Sequence, residues 1–550
     1  MTERMSETGG GETAWASKPL LEMSKRRRWA VTAGVLTGMF IAALEATVVG
    51  TAMPTVIATL GGLSHYSWVF SAYLVTSTVT VPVWGKLSDL YGRRLMYQLG
   101  IGLFLLGTLL SGFSGTMTQL IVFRAIQGLG AGALVPLGMT IIGDAFTVEE
   151  RTRMQALFSA VWGLSSIIGP VVGGFITDQI SWRWVFWVNL PVGLLAALII
   201  GVALKEPKLD RKPSIDYAGA GLLMAAISLL MLAMVDSGGG GLFSIRNLMI
   251  LLVSAVLMLI FVRVERRAPD PIIPFELFRN RTVLIAVIAG FLAGVAMFGA
   301  ISFIPLFAQG ALGFTATEAG SLLTPLMLSW VTMSVIGGRL MLKLGYRSIT
   351  LFGFALLTVA FLLLSMFQRE TPPLLLYLNL ILIGAGLGST MLTMLIAVQQ
   401  AVDRSKLGIA TSLNQFSRSI GGALGVAIMG AVLTAGLASE LHAVAEAPNS
   451  AFTHEQASEL ASNPNAIIEP GAKAELPEET LVILQRAMAG AMHPVFWVGA
   501  IMSLLALGVT VFLPKPGPLS SEIDGERLVM AEQTNINARN QPLATGELDV

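Results

Sequence analysis

The chain reads as an all-α membrane protein of fourteen transmembrane helices, arranged as two six-helix bundles with two extra helices between them. Three observations predict it. Of its 550 residues 54% are hydrophobic and 13% charged, with a mean hydropathy of +0.73, where soluble chains average roughly 45–50% and about 25%. Its apolar runs recur at about the 20-residue length that a helix needs to cross a bilayer core. Lastly, the segment Gly85 to Arg94 returns as Gly338 to Arg347, with glycines seven apart and Leu and a terminal Arg in register. Such a parallel repeat predicts two bundles related by an axis along the membrane normal, with a substrate site between them.

The elements follow in order. Runs long enough to cross lie near residues 30 to 52, 66 to 84, 95 to 115, 118 to 143, 154 to 177 and 184 to 204. Two more, near 217 to 235 and 247 to 262, form the inserted pair. The second set lies near 283 to 309, 319 to 342, 349 to 367, 373 to 397, 408 to 435 and 492 to 513. Expected domains are a cytoplasmic tail over 1–28, a first bundle over 29–204, the inserted helices with linkers over 205–281 and a second bundle over 282–514. The second bundle carries an outer loop over 436–490, and a polar cytoplasmic tail follows over 515–550.

Lys and Arg set the orientation. One set of loops carries eighteen of them, including Lys86, Arg93, Arg94, Lys205, Arg266, Arg267 and Lys406, while the opposite set carries Arg183, Arg246, Arg369, Lys473 and Arg486. The positive-inside rule then places both termini in the cytoplasm. Lys25-Arg26-Arg27-Arg28 before the first span is read as its cytoplasmic anchor, since no small-residue cleavage site precedes Glu45. The loop 436–490 holds eight glutamates against Lys473 and Arg486. It is either a solvated hairpin or an acidic vestibule that concentrates cationic solutes.

Composition also bears on function. A net charge of +1 leaves no nucleic-acid footprint, and the absence of Cys excludes disulfides and thiolate metal sites. His65, His442, His454 and His493 fall in loops or at a span edge, so metal chemistry within the membrane has no evident ligands. No phosphate-binding G-x-x-x-x-G-K-[ST] loop is present, which argues against an ATP-driven pump. An enzyme would need a nucleophile with its base, or clustered His and acids, and neither is found.

Three charges stand deep within the spans: Glu45, Arg124 and Arg418. Charged groups in hydrocarbon are costly and mark ion, proton or substrate paths. At about 1.5 Å per residue, Glu45 lies about 8 Å below the outer face and Arg124 about 9 Å, so the two are at matching depth. They can pair or compete for one proton. Arg418, about 10 to 15 Å from the inner face, either holds a cytoplasmic-side network or contacts substrate. Trp162, Trp330 and Met327 fall within spans, and with Gln415 and Arg418 they are candidates for the substrate cavity, where thioether and aromatic groups adapt to varied ligands.

Four stretches carry a resemblance. Gly85-Lys86-Leu87-Ser88-Asp89-Leu90-Tyr91-Gly92-Arg93-Arg94 resembles the cytoplasmic signature of the major facilitator superfamily, with Gly85 and Gly92 for close approach and Asp89, Arg93 and Arg94 as a charged gate. Its second copy has Leu342 in the place of Asp89. The span 4 sequence RAIQGLGAGALVP, with Arg124, resembles the superfamily's basic motif of that helix. Span 5 resembles the antiporter signature through Gly169, Pro170, Gly173 and Gly174, although Ser165 stands where glycine is common. Leu44-Glu45-Ala46-Thr47-Val48-Val49 through Pro54 resembles the first-span signature of the fourteen-helix drug:proton antiporter family, with Glu45 in place of its aspartate and Gly50 in place of a common asparagine. Asn414-Gln415-Phe416-Ser417-Arg418 before Gly421-Gly422-Ala423 is similar to that family's span 13.

The resemblance implies a bacterial plasma-membrane multidrug exporter of the antibiotic-resistance type. It would be monomeric and exchange protons for small amphipathic or cationic drug-like molecules. It implies no cofactor, the proton gradient being the energy source, and Glu45 with Arg124 as the proton-coupling groups. The nearest alternative is a dedicated exporter of one endogenous lipid, siderophore or antibiotic on the same fold.

Overall fold

A computed structural model describes residues 23–60, 66–206, 216–235, 244–314, 318–319, 322–446 and 478–514. Its helices are α1 (Lys25–Leu60), α2 (Tyr66–Tyr91), α3 (Arg93–Gly112), α4 (Met117–Ala145), α5 (Val148–Gln179), the short α6 (Trp184–Trp187) and α7 (Asn189–Ala203). There follow α8 (Tyr217–Val235), α9 (Ile245–Glu265), α10 (Arg281–Gly310), α11 (Leu323–Leu364), α12 (Pro373–Gln400), α13 (Leu407–Glu446) and α14 (Glu478–Thr510). Among the described residues nine helical stretches are long and apolar enough to cross a membrane, counting 184–203 as one. The fourteen apolar runs of the sequence fall largely on helices α1 to α14, the run 184 to 204 being divided over α6 and α7, and not every one of these helices is among the nine stretches. α11 carries two of the runs, divided at Gly345.

The α1–α7 half has its own core, in which Val35, Met39, Tyr97, Phe104, Leu134 and Ile141 are fully buried. The α10–α14 half has another, around Phe307, Phe354, Phe361, Leu387, Met492 and Phe496. Each half buries apolar side chains from several helices, because one span presents only a stripe to its neighbours. The halves meet along α2 against α13 and α5 against α11. Inserted helices α8 and α9 pack on each other, and α8 lies against α2 and α13. A shared apolar cluster of Val75, Val79, Leu223, Ile227, Met231, Phe261, Leu413 and Phe416 seats the pair beside the seam.

The repeat has a backbone counterpart. Gly92 (φ 95°, ψ 151°) precedes α3, and Gly345 (φ 75°, ψ 159°) divides α11. Both second glycines of the repeat therefore take the same left-sided conformation, which disfavours a side chain. The chain turns there between consecutive spans. Gly85 serves differently, since a Cβ placed on it would lie 3.0 Å from the Gly408 carbonyl oxygen, where α2 and α13 cross.

Three boundaries differ from the sequence reading. The helix begins at Lys25 rather than after residue 28, anchored where Arg27 Nε donates to the Ala203 carbonyl at 2.6 Å and Arg28 pairs with Glu150 at 3.1 Å. The loop expected over 436–490 is largely helix at its two ends, with α13 running on to Glu446 and α14 starting at Glu478. Leu437, Leu441, Leu484 and Met488 continue the apolar stripe there and are buried in one cluster, so the helices extend beyond a single bilayer thickness. Residues 447–477 and the tails 1–22 and 515–550 lie outside the described residues. For the tenth span, expected from near residue 319, the continuous described helix runs from Leu323, residues 320–321 lying outside the described residues.

Candidate functional site

α1 carries Glu45 to the middle of the first bundle, where it is wholly buried, and α4 brings Arg124 to it with 2% exposure. Arg124 Nη1 donates to Glu45 Oε1. The other carboxylate oxygen, Oε2, accepts from Asn189 Nδ2 at 2.6 Å. Arg124 Nη1 also donates to Gln127 Oε1 at 2.6 Å, and Gln127 Nε2 donates to Thr108 Oγ1 at 2.8 Å. Arg124 Nε donates to the Val69 carbonyl at 3.2 Å, and its guanidinium lies over the Tyr73 ring, 4.2 Å from the centroid. Residues from α1, α2, α3, α4 and α7 thus converge on one ion pair.

The charges are tolerable here because each is paired and hydrogen-bonded, the condition for burial in a medium of low dielectric. The arrangement is also asymmetric. Asn189 Oδ1 is buried without a partner among the described residues. If a proton settles on Glu45, the pair loses its attraction and Arg124 keeps Gln127, Val69 and Tyr73. One proton can therefore alter how α1 is held to α4 and α7. The depth estimate anticipated the Glu45–Arg124 pair. Asn189, Gln127 and Thr108 were not anticipated, since neutral polar residues are common in spans and only their convergence distinguishes these.

The glycines of α4 explain how its arginine comes so close. A Cβ on Gly128 or Gly132 would collide with α2 backbone at Tyr73 and Ser77, and one on Gly130 with α3 backbone at Phe104 and Gly100. Small residues on alternate sides let α4 lie directly against both neighbours.

A second cluster sits at the Lys/Arg-rich end. Arg93 Nη1 pairs with Asp89 at 2.5 Å and its Nε with Asp144 at 3.1 Å, while Nη1 also donates to Ser88 Oγ at 3.2 Å. Asp89 reaches across the seam. Its oxygens accept from the backbone N–H groups of Gly408 (3.0 Å) and Ile409 (2.8 Å), at the N-terminus of α13. Unsatisfied N–H groups and the helix dipole make that end a ready partner for a carboxylate. Glu206, not anticipated, accepts from the N–H groups of Arg93 (2.9 Å) and Arg94 (3.0 Å) and so caps α3. Burial pushes the Glu206 carboxyl above the usual carboxylate range, opposed by those two backbone donors. Arg151 adds a second link between halves, donating to Gln399 Oε1 at 3.3 Å and to the Gly143 carbonyl. In the second copy Leu342 and Tyr346 stand in the places of Asp89 and Arg93, so this half contributes helix ends rather than charges.

The remaining candidates are spread more widely. α5 is helical through Gly169, Pro170, Gly173 and Gly174 and packs on α1 and α11. Among the described residues nothing lies within 4 Å of a Cβ placed on Gly174. Trp162 is 40% exposed, whereas Met327 and Trp330 pack against the second core. Gln415 and Arg418 come together on α13, Arg418 Nη2 donating to Gln415 Oε1 and Nη1 lying 3.2 Å from Met391 Sδ. Among the described residues no group of three or more His, Asp or Glu side chains forms a metal site.

Comparison with known proteins places the chain in a family. Residues 35–426 match the family Major Facilitator Superfamily. The chain is 36% identical over 522 residues to the Multidrug transporter protein MdtP of Bacillus subtilis (strain 168), covering 91% of this chain and 96% of that protein. It is 37% identical over 494 residues to Multidrug resistance protein 3 of the same organism, covering 88% and 95%. The crystal structure of the human organic anion transporter MFSD10 (TETRAN) superimposes with a TM-score of 0.55 at 17% identity, over 88% of this chain and 100% of that one. That last likeness concerns the fold alone.

Proposed function

The chain belongs to the Major Facilitator Superfamily, a family of multi-pass membrane transporters and not of enzymes, and on that premise we propose proton-coupled export of small amphipathic molecules. The carrying observation is the buried Glu45–Arg124 pair with Asn189 on the second carboxylate oxygen. An acid fully enclosed by one bundle, whose own partners come from α4 and α7 and whose wider network reaches α2 and α3, can turn a protonation event into a helix rearrangement. The bacterial relatives named as multidrug transporters support efflux of varied drugs rather than of one endogenous compound.

The proposed cycle alternates between two states. With Asp89 on the N-terminus of α13 and Arg151 on Gln399, the halves are held together at the Lys/Arg-rich end. The positive-inside rule makes that end cytoplasmic, with both termini there, in a bacterial plasma membrane. A proton taken by Glu45 from outside accompanies substrate release, the halves rock, and loss of the proton to the cytoplasm resets the cavity. No cofactor enters the cycle, and each bundle pair is complete within one chain, so the proposed working unit is the monomer.

Purified protein in proteoliposomes with an imposed pH gradient tests this. Efflux of a fluorescent drug-like probe that rises with the gradient and collapses with a protonophore is the expected result. Flux indifferent to the gradient would refute the coupling.

A further inference from the structure

The three charges inside the spans do not balance. Glu45 and Arg124 cancel each other in the first half. Arg418, in the second, meets no carboxylate: among the described residues its guanidinium has the Gln415 side-chain oxygen and the Met391 sulfur as partners. A guanidinium carries five donors in a planar fork, so two acceptors, one of them a weak thioether, leave it underused. Burying such a group is costly unless function needs it. Arg418 differs from Arg124 in access as well, being half-buried where Arg124 is closed off. Its position is fixed from behind, because the Arg418 backbone lies directly against Gly294 of α10 and the side chain is steered by Gln415 one helical turn before it.

A fixed, half-buried cation set against Met391, with the apolar core of the second half behind it, has the chemistry to receive an amphiphile of opposite charge. We propose that Arg418 binds the anionic head group of substrate, so that the exporter's ligands include amphipathic organic monoanions bearing a carboxylate or sulfonate. The inference rests on the export reading and narrows its substrate class. The planar fork suits both head groups bidentately, and Gln415 presents a side-chain amide beside it. The Glu45–Arg124 pair adds no net charge while Glu45 is ionised, so of the three charges deep in the spans Arg418 alone has no opposite charge beside it among the described residues.

The test compares two probes on one scaffold: 1-anilinonaphthalene-8-sulfonate and the same anilinonaphthalene bearing a trimethylammonium group in place of the sulfonate. Binding is measured on the purified full chain by competition and fluorescence. Wild type is expected to bind the sulfonate probe more tightly. Arg418→Gln should lower the sulfonate-to-trimethylammonium affinity ratio by about tenfold or more, the loss of a charge-assisted contact, and Arg418→Lys should retain most of that ratio. Equal weakening of both probes by Arg418→Gln would make Arg418 a packing residue and overturn the proposal. So would a wild-type preference for the trimethylammonium probe, or a Lys variant no better than the Gln variant. If Arg418→Gln does not fold, the wild-type preference and the Lys variant decide alone. Gradient-driven efflux of the trimethylammonium probe with none of the sulfonate probe would leave proton-coupled export standing and remove this inference.

Discussion

At the scale of residues, a carboxylate survives inside the first bundle because both of its oxygens are held. Glu45 is held at both oxygens, by Arg124 and by Asn189. Removing the Asn189 amide leaves Oε2 a buried acceptor with no donor, a penalty of about 1–3 kcal/mol. Asn189→Ala is therefore expected to lower the thermal stability of the purified protein and to move the pH profile of transport, while Asn189→Gln restores part of each. An unchanged pH profile in Asn189→Ala would separate Asn189 from the coupling site. The ion pair itself was legible in the sequence, because only three charges lie deep in the spans and two share a depth. Asn189 was not legible, because it is one neutral amide at a helix start, and its role exists only once α7 is folded against α1. Arg418 was visible as an isolated charge, but sequence could not say that it lacks a carboxylate.

At the scale of elements, the repeat between Gly85 to Arg94 and Gly338 to Arg347 was readable as a pattern, and its cause is the positive φ shared by Gly92 and Gly345. With φ positive and ψ at 151° and 159° this backbone is essentially confined to glycine, and a side chain there costs about 1–3 kcal/mol. Gly345→Ala should destabilise the protein by about that amount and Gly345→Val by more, as read from melting temperatures. Asp89 gave a charge in the sequence and an address only in the structure, where it binds the N-terminus of α13. Two hydrogen bonds to a charged acceptor, at about 1.5–3 kcal/mol each, favour the state closed at the Lys/Arg-rich end. Asp89→Asn should thus slow transport severalfold while substrate binding stays within a few-fold. Equal loss of both would indicate misfolding instead. The extension of α13 to Glu446 and α14 from Glu478 escaped notice because a hydropathy window ends where polar residues begin, although the buried Leu437, Leu441, Leu484 and Met488 continue beneath them.

At the scale of the whole molecule, two separately cored halves touch along α2 with α13 and α5 with α11, and α8 packs at the first of these seams. Apolar runs and the repeat predict the halves, but which helices meet across the seam is a property of packing that no run of one sequence announces. The proposed orientation of the halves rests on the Lys/Arg distribution, and accessibility measures it directly. A Cys introduced at Ser450 should react with an impermeant thiol reagent in intact cells, whereas reaction only after permeabilisation would invert the topology. The central claim is that inward proton flow through Glu45 powers outward substrate flow. Glu45→Gln keeps the hydrogen-bonding shape of the protonated acid but cannot release a proton, and Glu45→Asp keeps the proton with a side chain one methylene shorter. The decisive measurement is substrate efflux from proteoliposomes under an imposed pH gradient, with binding and insertion checked on the same preparations. The account predicts no gradient-driven efflux by Glu45→Gln, retained substrate binding, and partial efflux by Glu45→Asp; full uphill, gradient-driven efflux by Glu45→Gln would contradict it.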